Sequence, residues 1–107
     1  MGFVYLLCDS GQDYTYKIGV TRGKIEKRIK QLQTGNSSEI YLVDFYETKY
    51  PFFLERWLHI KFYPQQKVGE WFFMKDEDVL NFKKDCSLIE ENAIALEDNP
   101  FAQKLLK

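Results

Sequence analysis

The feature that most restricts the fold of this chain is a pair of β-rich segments separated by a short polar stretch. "GFVYLLC" (residues 2–8) and "YTYKIGV" (residues 14–20) are rich in β-branched and aromatic residues, which favour strands. The intervening "DSGQD" consists of residues that favour turns. Together the two segments predict an antiparallel β-hairpin at the start of the domain.

The second predicted strand has two unlike faces, because successive strand side chains point to opposite sides. Four residues large enough for a core share one face: Tyr14, Tyr16, Ile18 and Val20. Lys17 and Gly19 share the other. A glycine inside a strand often marks a place where a ligand or another backbone comes close, and a lysine beside such a gap suits a phosphate. The alternative is an ordinary lysine that faces solvent.

A helical pattern and a third strand-like segment follow the hairpin. Ile25, Ile29 and Leu32 recur at helical spacing, and Gly35 stands where a helix would end. Residues 39–48 then predict a third strand.

The second half of the chain is more helical. Pro51 suits the first turn of a second helix that runs to about Phe62. A loop leads from it to a fourth extended segment, residues 70–74. Residues 75–85 begin a third helix with acidic residues in its first turn, where the helix dipole favours them. Residues 87–96 either extend that helix or form another.

The order ββαβαβα, with a hairpin first, predicts an α+β fold in which a small antiparallel β-sheet carries flanking helices. At 107 residues the chain is long enough for one domain with a modest core. We expect residues 76–107 to be a C-terminal helical extension that packs on this domain or trails from it.

Charge is unevenly distributed along the chain. The formal net charge of -1 would by itself argue against a nucleic-acid binder. Residues 17–34, however, carry a net charge of +5, whereas residues 75–99 carry -5. This asymmetry predicts a basic surface around the first helix of a nearly neutral protein.

Cysteine usage and hydropathy indicate the compartment. Cys8 and Cys86 are too few for a disulfide scaffold and lack the spacing of a zinc site, so we expect two reduced thiols. The sequence has no apolar run of the roughly 20 residues that a membrane span needs, and no signal-peptide pattern. We therefore expect a cytoplasmic protein with no membrane partner.

The first helix sets one arginine apart from its lysines. Arg28 falls beside the apolar arc, whereas Lys24, Lys27 and Lys30 lie farther round, towards solvent or a nucleic-acid backbone. A guanidinium at the edge of the sheet presents a rigid fork of donors that matches phosphate oxygens. The alternative is an arginine whose stem covers the core.

On the second helix, Glu55, Arg56 and His59 form a polar strip on an otherwise apolar surface. Glu55 and His59 are four residues apart and hence neighbours on one face. The strip is either the solvent window of the helix or one wall of a site. Its spacing does not match the zinc motif, whereas one carboxylate with water and substrate oxygens suits Mg²⁺. Glu70, at the head of "EWFF", faces solvent or joins this polar site.

Five segments in order resemble the motifs of the GIY-YIG nuclease superfamily, and most closely its bacteriophage-type branch: "FVYLL", "YKIGVT", "EKRIKQLQTG", "LERWLHIKF" and "GEWF". The resemblance covers about residues 2–75 and implies a GIY-YIG-like nuclease domain over residues 1–75. It implies a metal-dependent endonuclease that uses Mg²⁺ or Mn²⁺ to hydrolyse phosphodiester bonds in nucleic acid, with DNA expected.

The resemblance implies a role for each matching residue. Tyr5 would act as general base or orient the attacking water, and Arg28 would stabilise charge on the phosphate. Glu55 would hold the metal, and His59 would take over part of the role of a family histidine that this chain lacks. Lys17 stands where most relatives have a second tyrosine. Contacts with the nucleic acid are expected from a further set: Gly19, Arg22, Lys24, Lys27 and Lys30.

The lysine at position 17 leaves the activity open. Its ammonium would bind a phosphate oxygen, or would lower the pKa of Tyr5 if the hairpin register puts both side chains on one sheet face. Two other functions remain for the same scaffold. One is a catalytically inactive module that binds DNA or RNA, and the other is a protein-interaction domain that uses the acidic C-terminal half.

Overall fold

The predicted hairpin lies inside a five-stranded antiparallel sheet in the computed structural model, which describes residues 1–106. The elements follow in chain order: β1 (Gly2–Asp9), β2 (Thr15–Thr21), α1 (Ile25–Gln33), β3 (Ile40–Thr48), α2 (Pro51–Phe62), a 3₁₀ turn (Tyr63–Gln65), β4 (Gln66–Val68), β5 (Trp71–Phe73), α3 (Asp76–Leu80), α4 (Phe82–Ala95) and a second 3₁₀ turn (Gln103–Leu106). The predicted α+β class, with a small antiparallel sheet and flanking helices, is confirmed.

The strands lie in the order β3-β1-β2-β5-β4. In the β1–β2 pair, Tyr5 is opposite Gly19 and Leu7 is opposite Lys17. Directly opposed residues of an antiparallel pair point to the same face. The register therefore answers the question that the sequence left open, because Tyr5 and Lys17 share one face of the sheet.

The opposite face of the sheet carries the larger core. Val4, Leu6 and Ile18 are completely buried there, and they pack in one cluster with apolar residues of α2 and α4. Among the helical members of this cluster are Leu54 and Leu58 of α2 and Phe82, Cys86 and Ala93 of α4. This cluster attaches α2 to the sheet, and so it also sets the position of the polar strip on that helix.

The face that carries Tyr5 holds a smaller cluster. Tyr5, Leu7 and Ile40 are its buried members, and α1 packs Ile29 and Leu32 against them. The apolar arc predicted for α1 is therefore confirmed. The predicted bounds of α2 are also confirmed, since this helix begins at its proline and ends at Phe62 as expected.

The prediction that Tyr14 belongs to the strand and the core is wrong. Tyr14 precedes β2, adopts a left-handed backbone conformation with φ of 55°, and is 52% exposed. The chain must reverse direction between β1 and β2, and Tyr14 is part of that reversal. Its ring packs beside Phe73 at the surface, with 5.7 Å between the ring centroids.

Two boundaries also differ from the predictions. Residues 66–68, expected in a loop, form β4, which pairs with β5 through a turn at Gly69. Gly69 has φ of 55°, a conformation that glycine adopts without steric cost. The third predicted helix is divided at Asn81 into α3 and α4, and residues 87–95 continue α4.

Two smaller findings complete the description. Cys8 and Cys86 are both free, as the sequence predicts. Over residues 1–106, none of the helices combines the length and the apolar character that crossing a membrane requires.

Candidate metal and nucleic-acid site

The site forms where β5 begins beside β2. The first residue of β5, Trp71, is opposite Lys17, and the backbone N–H of Ile18 donates to the carbonyl of the preceding residue, Glu70, at 3.2 Å. The Ile18 carbonyl is bonded to His59 Nε2 at 2.8 Å. A carbonyl only accepts, so Nε2 donates, and in the neutral form of the imidazole the lone pair of Nδ1 is available. The polar strip of α2 is thus attached to the edge of β2.

Three potential metal ligands converge at this edge. Glu55 and His59 of α2 and Glu70 before β5 each offer one ligand atom, and these atoms all lie within 4.8 Å of one another. Glu55 Oε2 is buried and accepts no hydrogen bond from any part of the chain that the structure describes. A buried, unpaired carboxylate oxygen is energetically unfavourable. The observed donor set therefore fits a divalent cation, which would supply the missing partner.

Lys17 connects the sheet to this cluster. Its side chain is only 11% exposed, and Nζ lies 3.2 Å from Glu70 Oε2. The ammonium also lies over the Trp71 ring, 5.6 Å from the centroid. Lys17 is therefore held in place by one carboxylate and one aromatic face. The structure places Lys17 beside Glu70, and the solvent-facing alternative is wrong.

Gly19 acts on the site through Tyr5. A Cβ at position 19 would overlap the Cζ and the hydroxyl oxygen of Tyr5, so the ring lies directly across the glycine. Gly19 is buried. The expectation that Gly19 leaves room for a phosphate is therefore wrong, because the Tyr5 ring fills that room. What the missing side chain allows is the approach of the Tyr5 hydroxyl to the polar cluster.

Burial raises the pKa of Tyr5 above its ordinary value of 10.0, and the nearby Arg28 guanidinium opposes this by hydrogen bonding and by its charge. The net direction is upwards, so the expectation of a lowered pKa for Tyr5 is wrong. At neutral pH the Tyr5 phenol keeps its proton, and it is a hydrogen-bond donor.

The pKa of Glu55 is raised above its ordinary value of 4.5, chiefly by burial and next by the negative charge of Glu70. His59 and Lys17 lower it in opposition. Two carboxylates that repel each other in a partly buried place favour any cation that enters between them. The electrostatics therefore point to the same occupant as the unpaired oxygen.

Arg28 and the lysines of α1 occupy different surfaces. Arg28 is half-buried, and besides its proximity to Tyr5 its guanidinium donates to Gln31 Oε1 at 3.4 Å. Lys24, Lys27 and Lys30 are exposed. This division agrees with the prediction from the helical spacing.

Arg22 is exposed at the end of β2 and lies over a residue of α2. Its guanidinium is 5.1 Å from the centroid of the Phe52 ring. The cationic surface thus extends from α1 to the first turn of α2.

Glu70 is the residue whose role the sequence left undecided. Its position depends on the pairing of β5 with β2, which brings the residue before Trp71 next to Lys17. No pattern within one segment of the sequence indicates how β5 pairs with β2. The sequence showed only that Glu70 is a carboxylate at the start of a predicted strand.

A model of the T5orf172 domain matches residues 2–87. The chain belongs to the T5orf172 domain family. No curated protein and no solved structure matches the chain. The T5orf172 domain is phage-associated and is connected with nuclease-like and nucleic-acid-binding functions.

Proposed function

We propose that this T5orf172 domain is a metal-dependent endonuclease of the GIY-YIG type, and that it hydrolyses phosphodiester bonds in nucleic acid, with DNA as the expected substrate. The observation that carries the proposal is the unpaired, buried Oε2 of Glu55, a residue whose carboxylate clusters with Glu70 and His59, where Lys17 is paired with Glu70. Such a cluster would hold a Lewis-acid cation, and the basic helix next to it would bind the phosphates of the nucleic acid.

Glu55 and Glu70 would hold the cation through carboxylate oxygens, and His59 through Nδ1. Oxygen ligands suit Mg²⁺ and Mn²⁺. When bound there, the cation supplies Lewis-acid chemistry, which neutralises the charge that develops on the phosphoryl oxygens.

The remaining side chains bind the substrate phosphate and stabilise its negative charge. The Arg28 guanidinium presents two parallel donors to non-bridging phosphate oxygens and stabilises the negative charge of the transition state. The Tyr5 hydroxyl, still protonated, donates a hydrogen bond that orients the phosphate or the attacking water. Lys17 holds Glu70 in place and adds positive charge beside the reacting phosphate. Lys24, Lys27 and Lys30 are exposed on the same helix as Arg28, and they attract the phosphate backbone.

Plasmid cleavage tests this proposal. Supercoiled plasmid is incubated with the wild-type chain in Mg²⁺, in Mn²⁺ and in EDTA, and nicked and linear products are measured. We expect metal-dependent cleavage by the wild type, and a loss of at least about 100-fold in Glu55→Gln and in Arg28→Gln. Glu91→Gln and Lys84→Gln change the same charges on exposed residues of α4 and should leave the rate unchanged.

Two results would contradict the nuclease. One is cleavage by Glu55→Gln at the wild-type rate, which would show a contaminating enzyme or another site. The other is tight binding of the plasmid without cleavage in either metal. That second result would instead support the inactive binding module, in which the Lys17–Glu70 ion pair replaces the cation.

A further inference from the structure

The exposed side of α2 forms a groove of about 590 Å³ that extends on both sides of the Glu55–His59 pair, and the proposed function gives no role to its two ends. Six residues line it: Phe52, Glu55, Arg56, His59, Ile60 and Tyr63. At about 100° per residue, these positions share one arc of the helix that is less than half of its circumference. The groove therefore runs along the helix axis, and the Glu55–His59 pair lies in its middle.

The two ends of the groove are apolar and exposed, which is unusual for the solvent side of a helix. Phe52 is 41% exposed at one end, and Tyr63 is 70% exposed at the other, next to Ile60. Exposed apolar side chains on both sides of a polar centre are typical of a binding surface. Aromatic rings in such a strip offer flat faces on which a ligand can stack.

The charge of the groove selects the class of ligand. Arg56 lines it, and the Arg22 guanidinium stacks on Phe52 at its end, so two cations border the apolar strip. Glu55 is the one acidic residue among the six lining residues. Rings for stacking and guanidinium groups for phosphates, alternating along one groove, match a strand whose bases are free.

We propose that this groove binds an unpaired segment of nucleic acid, with one base against Phe52 and another on Tyr63. The proposal rests on the proposed function, since the phosphodiester between those bases would then face Glu55 and His59. At 1.5 Å per residue, Phe52 and Tyr63 lie about 8 Å on either side of the middle of that pair. The two rings are therefore about 16 Å apart along the helix, which fits an extended segment of a few nucleotides with the reacting phosphate near its middle.

The stacking requires unpaired bases, because bases inside a duplex are covered on both faces by their neighbours. A regular duplex would reach the phosphate-binding residues of α1 but would leave Tyr63 without a base. The preferred substrate is therefore a single strand or a junction with unpaired nucleotides next to the cleavage point.

The test measures binding in the Glu55→Gln background, where cleavage does not interfere. A short single strand carrying 2-aminopurine, and the matching duplex, are titrated with this protein and with the same protein carrying Phe52→Leu or Tyr63→Leu. Trp57→Leu is the matched control, because Trp57 is 46% exposed on the same helix but does not line the groove.

We expect tighter binding of the single strand than of the duplex, with quenching of 2-aminopurine on binding. Each groove variant should weaken single-strand binding by about tenfold, reduce the quenching, and leave duplex binding unchanged. Trp57→Leu should change none of these. Equal affinity of all variants for the single strand, or a preference for duplex, would overturn the proposal and would leave the groove to a protein partner.

Failure of this inference is distinguishable from failure of the proposed function. If the wild type cleaves plasmid and Tyr63→Leu binds single strands normally, the nuclease stands and the stacking groove is wrong. If Tyr63→Leu loses single-strand binding but the wild type cleaves neither the plasmid nor the single strand in either metal, the groove stands and the nuclease is wrong.

Discussion

On one face of the central hairpin, Leu6 and Ile18 are completely buried in the large cluster shared with α2 and α4, whereas the other face places Tyr5 and Leu7 beside a buried lysine. Both faces belong to the same two strands. The first face buries apolar groups in one continuous core, which is the main source of folding free energy. The second face interrupts its apolar packing with charged groups that are stabilised only by one another or by a ligand.

This contrast shows how a small domain can carry a polar site without losing its fold. α2 is attached to the sheet through the large core, yet its polar strip reaches Glu70 and Lys17 beside the start of β5. The rigid side of the sheet therefore positions the ligands of the reactive side. The following predictions test that division.

The largest effect on stability should come from two single variants, each of which truncates one of two adjacent leucines in β1. Leu6 and Leu7 are both completely buried, but they point to opposite faces. We expect Leu6→Ala to lower the free energy of unfolding by about 4 kcal/mol and Leu7→Ala by about 3 kcal/mol, because the larger cluster loses more contacts around the cavity. Urea denaturation of both variants measures the difference.

The same pair should show the opposite order in activity. Per folded molecule, Leu6→Ala should cleave plasmid at close to the wild-type rate, whereas Leu7→Ala should be slower because it loosens the packing under Tyr5 and Lys17. A larger loss of activity in Leu6→Ala than in Leu7→Ala would contradict the proposal that one face stabilises the fold and the other carries the site.

Gly19→Ala is expected to have the next largest effect. The added Cβ overlaps the end of the Tyr5 ring, so that ring must move or the strands must separate. We expect a loss of about 2 kcal/mol in stability, as in other overpacked sites, and a fall in cleavage of about 100-fold from the displaced hydroxyl. Urea denaturation and plasmid cleavage measure the two effects.

Gly35→Ala is the matched control for that variant. The nearest atom to a Cβ at position 35 is the Leu32 carbonyl oxygen at 3.9 Å, an ordinary contact, so stability and cleavage should stay unchanged. If Gly19→Ala behaved like Gly35→Ala, the Tyr5 ring would not lie across the strand as described.

Lys17→Met should separate metal binding from cleavage. Removing the ammonium frees Glu70 and removes a positive charge near the cation, so Mn²⁺ should bind several-fold more tightly, equivalent to about 1 kcal/mol. Cleavage should nevertheless fall, because the phosphate loses a positive neighbour. Isothermal titration with Mn²⁺ measures the first effect, and weaker Mn²⁺ binding in Lys17→Met would contradict the assigned position of Glu70.

The smallest effect concerns pH. Because the folded state raises the pKa of Glu55 above 4.5, the folded protein binds more protons than the unfolded chain just above that pH. This carboxyl therefore destabilises the fold progressively as the pH rises through 4.5 towards the folded-state pKa. Glu55→Gln should match the wild type at acidic pH and become the more stable protein towards neutrality.

Urea denaturation across that pH range measures the gap between Glu55→Gln and the wild type. Glu91→Gln, which alters an exposed carboxyl, should show no gap. Mg²⁺ should reduce the gap by stabilising only the wild type. A gap that is the same at every pH would show that Glu55 is not perturbed by burial.

The local elements of this fold were predictable where the relevant residues are close in the chain. The apolar arc of α1 and the proline that begins α2 are signals within one or two helical turns, and both predictions held. The prediction for Tyr14 was wrong because its strand-like pattern gives no sign of where the reversal between β1 and β2 ends. β4 was missed because its three residues are all exposed and carry no apolar pattern.

The amino-acid order alone determined the candidate ligands of α2, the basic surface of α1 and the two unlike faces of β2, because helical and strand periodicity follow from the backbone geometry of each segment. Only the tertiary structure decided that Tyr5 lies across Gly19, that Glu70 reaches Lys17, and that Glu55 is left with a buried oxygen lacking a partner. These contacts join residues up to about fifty positions apart in the chain. They depend on strand register and on the packing of α2, and the sequence of a single segment indicates neither.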